Sequence, residues 1–358
     1  MRAMLPACLI LALFCATPAL AQDDSPPLIL EKMGLMFVGG RPTAMPGGGR
    51  FGGGGKQTQI AGQAPVHYLI PPAKARAGKR PVVMIPGMGL TSYLYLGTPD
   101  GREAWAQTFA KAGYPVYVFD EPNNAISGFE VARFTSTETP PRIMLWANES
   151  IWRRWGIGPE PGVPAENTRF PVAQIDQLQA SMTPIMGGFS RGGGRRGGGR
   201  PGGRSSGPAD GAKAEAGTPV AENPKVSALL QLLEKIGPAT LLAHSAAGST
   251  AFEAARQRPD LVKAIVAIEV AGSPSAADDL QNFSQIQFLG VYGDNFDLRP
   301  MAGRLEASRN MAKAITAAGG RGEVISLPEI GVHGNSHLMM QDNNNQEIAR
   351  MILQRLEN

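Results

Sequence analysis

The sequence predicts an α/β fold: a mostly parallel sheet with helices on both faces, interrupted by an inserted cap. Three observations carry that expectation. From Pro81 onward, short and largely apolar runs recur at Val82–Ile85, Val116–Phe119, Thr240–Ala243, Val262–Val270 and Ile286–Val291, too continuous for strands with one wet face. They alternate with segments of helical spacing at 100–111, 226–236, 249–256 and 302–318, the rhythm of strand-helix-strand units. Between Asp120 and Pro224 the rhythm stops, and the intervening chain is far too long for a simple connection.

Taken in order, residues 1–21 read as an export signal. Arg2 precedes the apolar stretch Leu5–Phe14, and Ala19-Leu20-Ala21 offers small residues at a cleavage junction before Gln22. The stretch is short, and no later one approaches the ~18 apolar residues of a membrane span. The expectation is cleavage, no membrane anchor afterwards, and a periplasmic or secreted protein. Cys8 and Cys15 both fall inside this signal, so the mature chain has neither disulfides nor thiolate chemistry to draw on.

Residues 22–122 form the first part of the core. Strands near Gly34–Val38 and Val66–Ile70 flank a Gly-rich loop, Pro46–Gly55, and the strand at Val82–Ile85 runs into Pro86-Gly87-Met88-Gly89. A helix from Asp100 to Lys111, stopped by Gly113, leads to the strand ending at Asp120. Residues 123–186 make the cap, with Trp146, Trp152 and Trp155 divided between its own core and the lining of a pocket. Residues 187–222 are a Gly/Arg-rich insert whose apolar content cannot offset the entropy of ordering, so a flexible loop is expected.

Residues 223–358 complete the core. The helix Val226–Ile236 ends at Gly237-Pro238, the strand Thr240–Ala243 follows, and an alanine-rich helix spans Ser249–Arg256. After two more buried strands, a helix over Ala302–Ala318 is stopped by Gly319 and Gly320, and Glu323–Leu327 is the last strand.

Charge excludes one class. The net charge is +4, but Arg191, Arg195, Arg196, Arg200 and Arg204 all lie in the insert, and without them and Arg2 the balance is −2. The excess basicity belongs to the insert, which argues against nucleic-acid binding by the folded part. A noncatalytic exported protein contacting a polyanion through this insert is the rival reading from outside enzymology.

The chemistry centres on Leu241–Ser249, LLAHSAAGS. Ser245 stands where a strand gives way to a helix, as a helix N-cap or as a nucleophile on a tight elbow. The usual Gly-x-Ser-x-Gly reads here as Ala243-His244-Ser245-Ala246-Ala247, with Gly248 one place late. A nucleophilic serine needs a histidine base and an orienting carboxylate. Of the four histidines, His67 precedes the parallel part of the sheet and His244 is locked beside the serine, which leaves His333 and His337 in the loop after the final strand. The apolar run Leu338-Met339-Met340 would hold His337 more firmly, but the residues themselves leave both open.

Two acids compete as well. Glu269 ends one buried strand and Asp294 follows the next, and either preserves the chain order serine, acid, histidine. Backbone N–H groups of Met88 and Ala246 are the candidate oxyanion donors. The spacing of His333 and His337 lacks the helical zinc pattern, and no Gly-x-Gly-x-x-Gly is present at the Pro86–Gly89 loop, so neither metal nor other cofactor is expected.

Several blocks resemble the α/β hydrolases, and within them a group of bacterial exported Ser-Glu-His esterases. They are Thr98-Pro99-Asp100-Gly101-Arg102, Trp152-Arg153-Arg154-Trp155 with Gly158-Pro159, His244-Ser245-x-x-Gly248, Ile268-Glu269, Tyr292-Gly293-Asp294, and Gly334-Asn335-Ser336-His337 with Met340-x-Asp342-x-Asn344. The resemblance covers about residues 34–180 and 224–355. It implies Ser245 as nucleophile, Glu269 as acid, His337 as base, oxyanion donors at Met88 and Ala246, a small-molecule carboxylic ester as substrate, and a homodimer. Lactones and amides are alternative substrates for the same apparatus. The chain departs from the group in its Gly/Arg insert and in having Met88 where a relative carries a cysteine.

Overall fold

The computed structural model describes residues 26–45, 57–134, 141–187, 223–274, 283–299 and 301–357. The expected signal segment, the Gly-rich loop after Met45 and the Gly/Arg insert from residue 188 lie outside these residues. One eight-stranded sheet organises the molecule: β1 (Lys32–Ala44), β2 (Thr58–Ile70), β3 (Val82–Ile85), β4 (Val116–Phe119), β7 (Ala239–His244), β8 (Val262–Ile268), β9 (Gln287–Tyr292) and β10 (Gly322–Ser326). Their spatial order is β1-β2-β4-β3-β7-β8-β9-β10. The first two neighbouring pairs, β1 with β2 and β2 with β4, are antiparallel and every later pair is parallel. A separate two-stranded sheet, β5 (Arg142–Met144) with β6 (Ile185–Gly187), closes the cap segment on itself.

Burial on both faces explains the continuous apolar runs. All four residues of β3 are buried, Val82 and Met84 in one apolar layer, Val83 and Ile85 in the other. The first layer is built by helices Trp105–Lys111 and Asn345–Glu357. The second is built by helices Pro224–Ile236, Gly248–Gln257 and Ala302–Ala317. Trp152 and Trp155 are buried in the first layer, so the cap segment is packed onto the core. Trp146 is half-buried at a cavity.

Three elements differ from expectation. β1 and β2 extend well beyond the expected five-residue strands, forming a long antiparallel hairpin with Lys32 opposite Ile70 and Ala44 opposite Thr58. Most side chains of β1 are exposed, so no buried face imposes an alternating pattern there. The helix expected from Asp100 begins instead at Trp105, after a non-helical stretch in which Asp100 and Arg102 form a 2.5 Å ion pair. The C-terminal helix was not anticipated, although Ile348, Ala349, Ile352 and Leu353 line one buried stripe. Among the described residues no helix is long and apolar enough to cross a membrane.

Candidate active site

At the end of β7 the chain turns sharply. Ser245 has φ 53°, a left-handed conformation that is costly for a side chain with a Cβ. A short turn over Ser245–Ala247 then feeds the helix that begins at Gly248. Ala247 precedes this helix without a side-chain cap bond, and the Ser245 hydroxyl does not cap it. Close packing explains the displaced glycine of the motif. A Cβ at Gly248 would lie 2.6 Å from both the Ala271 carbonyl oxygen and Val270 Cβ, whereas Ala243 and Ala247 fit as they are. Across the crossing, a Cβ at Gly87 would meet His244 Nδ1 at 2.8 Å and Ser245 Cβ at 2.9 Å.

Glu269 immediately follows β8 and also adopts a left-handed conformation, φ 45°. That turn brings its carboxylate to His337: His337 Nδ1–H donates to Glu269 Oε2 at 2.5 Å, with both side chains 1% exposed. The other oxygen, Oε1, accepts the Gly293 N–H at 2.8 Å. Buried Arg299 donates to the same Oε2 and to the Asp294 carbonyl. Burial would raise the Glu269 pKa, but the Arg299 charge and the His337 hydrogen bond outweigh it and hold the carboxyl at about 2. His337 lies below its ordinary value: burial favours the neutral ring, Glu269 opposes this, and Arg299 and Arg304 add to the lowering.

The two alternative residues meet each other instead. His333 Nδ1 lies 3.3 Å from Asp294 Oδ2, and its side chain is 58% exposed. Asp294 Oδ2 also accepts the Gly334 N–H at 2.9 Å, and the Asp294 N–H donates to the Asn335 carbonyl at 2.8 Å. Asp294 thus clasps the loop that carries His337. Asp342 clasps it from the other side, accepting Ser336 N–H and Ser336 Oγ–H at 2.7 Å each and Asn335 Nδ2–H at 3.0 Å. Burial raises the Asp342 carboxyl to about 6 against these bonds. Arg102 braces the next stretch through the carbonyls of Gln341 and Asp342, both at 2.9 Å.

Met88 and Ala246 line one cleft of about 390 Å³, together with Glu121, Asn124, Lys225 and Ser249. A second, largely apolar cavity of about 300 Å³ adjoins at Met88 and Gly89 and is walled by Met144, Leu145, Trp146 and Ile185, with Arg154 over the Trp146 ring at its edge. Trp146 Nε1–H donates to the Met88 carbonyl at 2.8 Å, and Asp120 accepts the Ser92 N–H at 2.6 Å, so both flanks of this loop are pinned.

Sequence reasoning missed three contributors. His244 was set aside from the proton relay, yet its Nε2–H donates to the His337 carbonyl at 3.0 Å and the two rings lie 4.5 Å apart. Burial keeps His244 neutral, its pKa well below the usual value. Arg299 and Arg304 carry no local motif that could have found them. Arg304 Nη1 lies 3.3 Å from Ser245 Oγ and 3.1 Å from the Glu269 carbonyl oxygen.

A solved bacterial esterase is similar to this chain at 30% sequence identity, over 93% of this chain and 97% of that one, with a TM-score of 0.77. The chain belongs to the esterase- and lipase-type α/β hydrolases. It is therefore a hydrolase-type enzyme, which sets aside the noncatalytic reading. Among curated proteins, Probable secreted lipase phiG of Fungal sp. (strain ATCC 74256) is similar to this hydrolase at 26% identity over 330 residues, covering 76% of this chain and 80% of that one. No protein-family model matches the chain.

Proposed function

We propose that this hydrolase is an exported serine esterase that cleaves carboxylic esters through Ser245, His337 and Glu269. The observation that carries the reading is the 2.5 Å bond between His337 Nδ1 and buried Glu269, which follows the strand paired with the one that ends in the strained Ser245 turn. Holding Nδ1 protonated leaves Nε2 as the basic nitrogen. In the first half-reaction Ser245 Oγ bonds to the ester carbonyl carbon while its proton passes to His337 Nε2. The N–H groups of Met88 and Ala246 receive the negative charge that develops on the carbonyl oxygen. The intermediate collapses by breaking the bond to the alcohol, which leaves with the proton from Nε2. A water then gives a proton to Nε2 and attacks the acyl-enzyme, and the carboxylic acid departs as Ser245 regains its proton.

Each partner has a physical part. Glu269 remains ionised throughout because Arg299 and His337 both favour its charged form. The lowered His337 pKa keeps the base neutral near pH 7. The apolar cavity beside Met88 suits an acyl chain or an equally apolar alcohol.

The test uses residues 22–358 and 4-nitrophenyl butyrate, with 4-nitrobutyranilide and a γ-lactone alongside. Turnover of the ester, a stoichiometric nitrophenol burst, and loss of both in Ser245→Ala with unchanged circular dichroism are expected. Undiminished turnover in folded Ser245→Ala would overturn the reading, and faster anilide or lactone turnover would reassign the substrate.

A further inference from the structure

Arg154 belongs to the Trp152-Arg153-Arg154-Trp155 block, which the proposed mechanism leaves unused. Both tryptophans of the block are buried in the core, and Arg153 donates from Nε to the Leu298 carbonyl at 3.2 Å. Arg154 has a different setting. Its guanidinium carbon lies over the Trp146 ring, 5.1 Å from the centroid, and it is the one charged residue among those described that line the cavity of about 300 Å³ beside Met88 and Gly89. Its Nε–H is buried and meets no acceptor, and no carboxylate pairs with the guanidinium among the described residues.

The cap fixes this cation relative to the reaction centre from two sides. Trp146 Nε1–H holds the Met88 carbonyl at 2.8 Å, and the Trp155 carbonyl accepts the His337 N–H at 2.8 Å, while the two tryptophan rings meet edge to face with centroids 5.7 Å apart. The indole N–H bond leaves in the ring plane and the cation sits over the ring face, so the guanidinium lies roughly 7–10 Å from the Met88 carbonyl. An extended chain advances roughly 1.2 Å per bond, so about six to eight bonds cover that reach. Met144, Leu145, Trp146 and Ile185 favour hydrocarbon along the way. Stacking on an indole steadies a cation but leaves its charge unneutralised. A hydrocarbon terminus laid against it would take water from the charge and return nothing. A carboxylate in that place would receive charge-assisted hydrogen bonds in the planar geometry that guanidinium favours.

We propose that Arg154 selects esters whose apolar portion ends in a carboxylate about six to eight bonds from the scissile carbonyl. This rests on the esterase reading and on the cavity beside Met88 receiving that apolar portion. The carboxylate can belong to the acyl part, as in a medium-chain dicarboxylic half-ester, or to the alcohol, as in an acylated ω-hydroxy acid. The first source is tested by 4-nitrophenyl hemisuberate against 4-nitrophenyl octanoate, and the second by 6-butyryloxyhexanoate against hexyl butyrate. The pair 4-nitrophenyl hemisuccinate and 4-nitrophenyl butyrate controls for length, since the succinyl carboxylate falls short of Arg154.

Steady-state kinetics on wild type, Arg154→Gln and Arg154→Lys form the test. Wild type should favour the anionic member of at least one long pair by tenfold or more in kcat/KM, and the succinyl pair should show far less. Arg154→Gln should erase the preference mainly through KM, and Arg154→Lys should retain part of it. Any loosening of Trp146 by the substitution lowers both members of a pair alike, so the ratio isolates the charge. Suberate should inhibit wild-type 4-nitrophenyl butyrate hydrolysis competitively, and more strongly than suberamide does, a measurement that needs no variant to fold. Hydrolysis of the neutral esters with no anionic preference and equal inhibition by the two would overturn the role of Arg154 and leave the esterase reading intact. A preference that survives in Arg154→Gln, or that is equally large for the succinyl pair, would assign the anion to another group and overturn it as well. An equal fall for both members of a long pair in Arg154→Gln would reduce Arg154 to a support for Trp146. Complete inertness of wild type toward every ester would overturn both readings.

Discussion

Arg299→Met tests whether the buried cation tunes the base. The guanidinium and the His337 ring flank one atom, Glu269 Oε2, and none of the three side chains is more than 1% exposed. Two positive charges on either side of one oxygen stand roughly 5 Å apart, which at an effective dielectric constant of about 20 is a repulsion of about 3 kcal/mol against protonating His337. The carboxylate between them screens part of this, so a shift of about one pK unit is expected on removal, or about 1.4 kcal/mol. The sign is fixed. Losing the cation makes it easier to protonate His337, and easier to protonate Glu269, so both changes move the acid limb of kcat/KM upward. The assay is the pH profile of kcat/KM from pH 4.5 to 9, with wild type losing activity below its ordinary histidine range because burial and the two arginines lower His337. Thermal melts in parallel should show a loss of about 3–5 kcal/mol, since one partner of a buried pair is left behind. An acid limb that stays in place or moves downward in a folded variant refutes the tuning role.

Two further substitutions address the remaining parts. Glu269→Gln should reduce kcat by orders of magnitude, while Asp294→Asn should act mainly by loosening the His337 loop, with a smaller loss of kcat and a lower melting temperature; the reverse ranking would return the acid role to Asp294. Trp146→Phe removes the 2.8 Å hydrogen bond to the Met88 carbonyl at a cost of about 1 kcal/mol. It should lower kcat several-fold with little change in the melting temperature, read from butyrate kinetics and calorimetry, and an unchanged kcat would show that the Met88 loop holds itself.

Much of this architecture was legible because burial writes itself into composition. β3, β7 and β8 are covered on both faces, so their residues are apolar without alternation, and the glycines and prolines between them mark where strands become helices. The sequence likewise pointed to Ser245 and to the loop that carries His333 and His337, since strand ends and the loop after the last strand are predictable places, but it left the two histidines open. The choice between Glu269 and Asp294 was not legible from the residues alone. Each follows a buried strand, and the decisive variable is the direction in which the side chain leaves. Glu269 leaves through φ 45°, a backbone conformation that residue identity does not disclose. At the next strand the corresponding place is Gly293, where a Cβ would lie 2.6 Å from the Asn335 carbonyl oxygen, so no larger residue fits. Gly293 serves Glu269 through its N–H, and Asp294, one residue on, faces the Gly334 N–H and His333. The same crowding that brings the histidine loop down onto β9 therefore excludes an acid at the strand's end and supplies the neighbouring one with a donor. Arg299 and Arg304 were silent in the sequence because Glu269, which both contact, lies 30 residues from one and 35 from the other, and only the folded sheet brings them together.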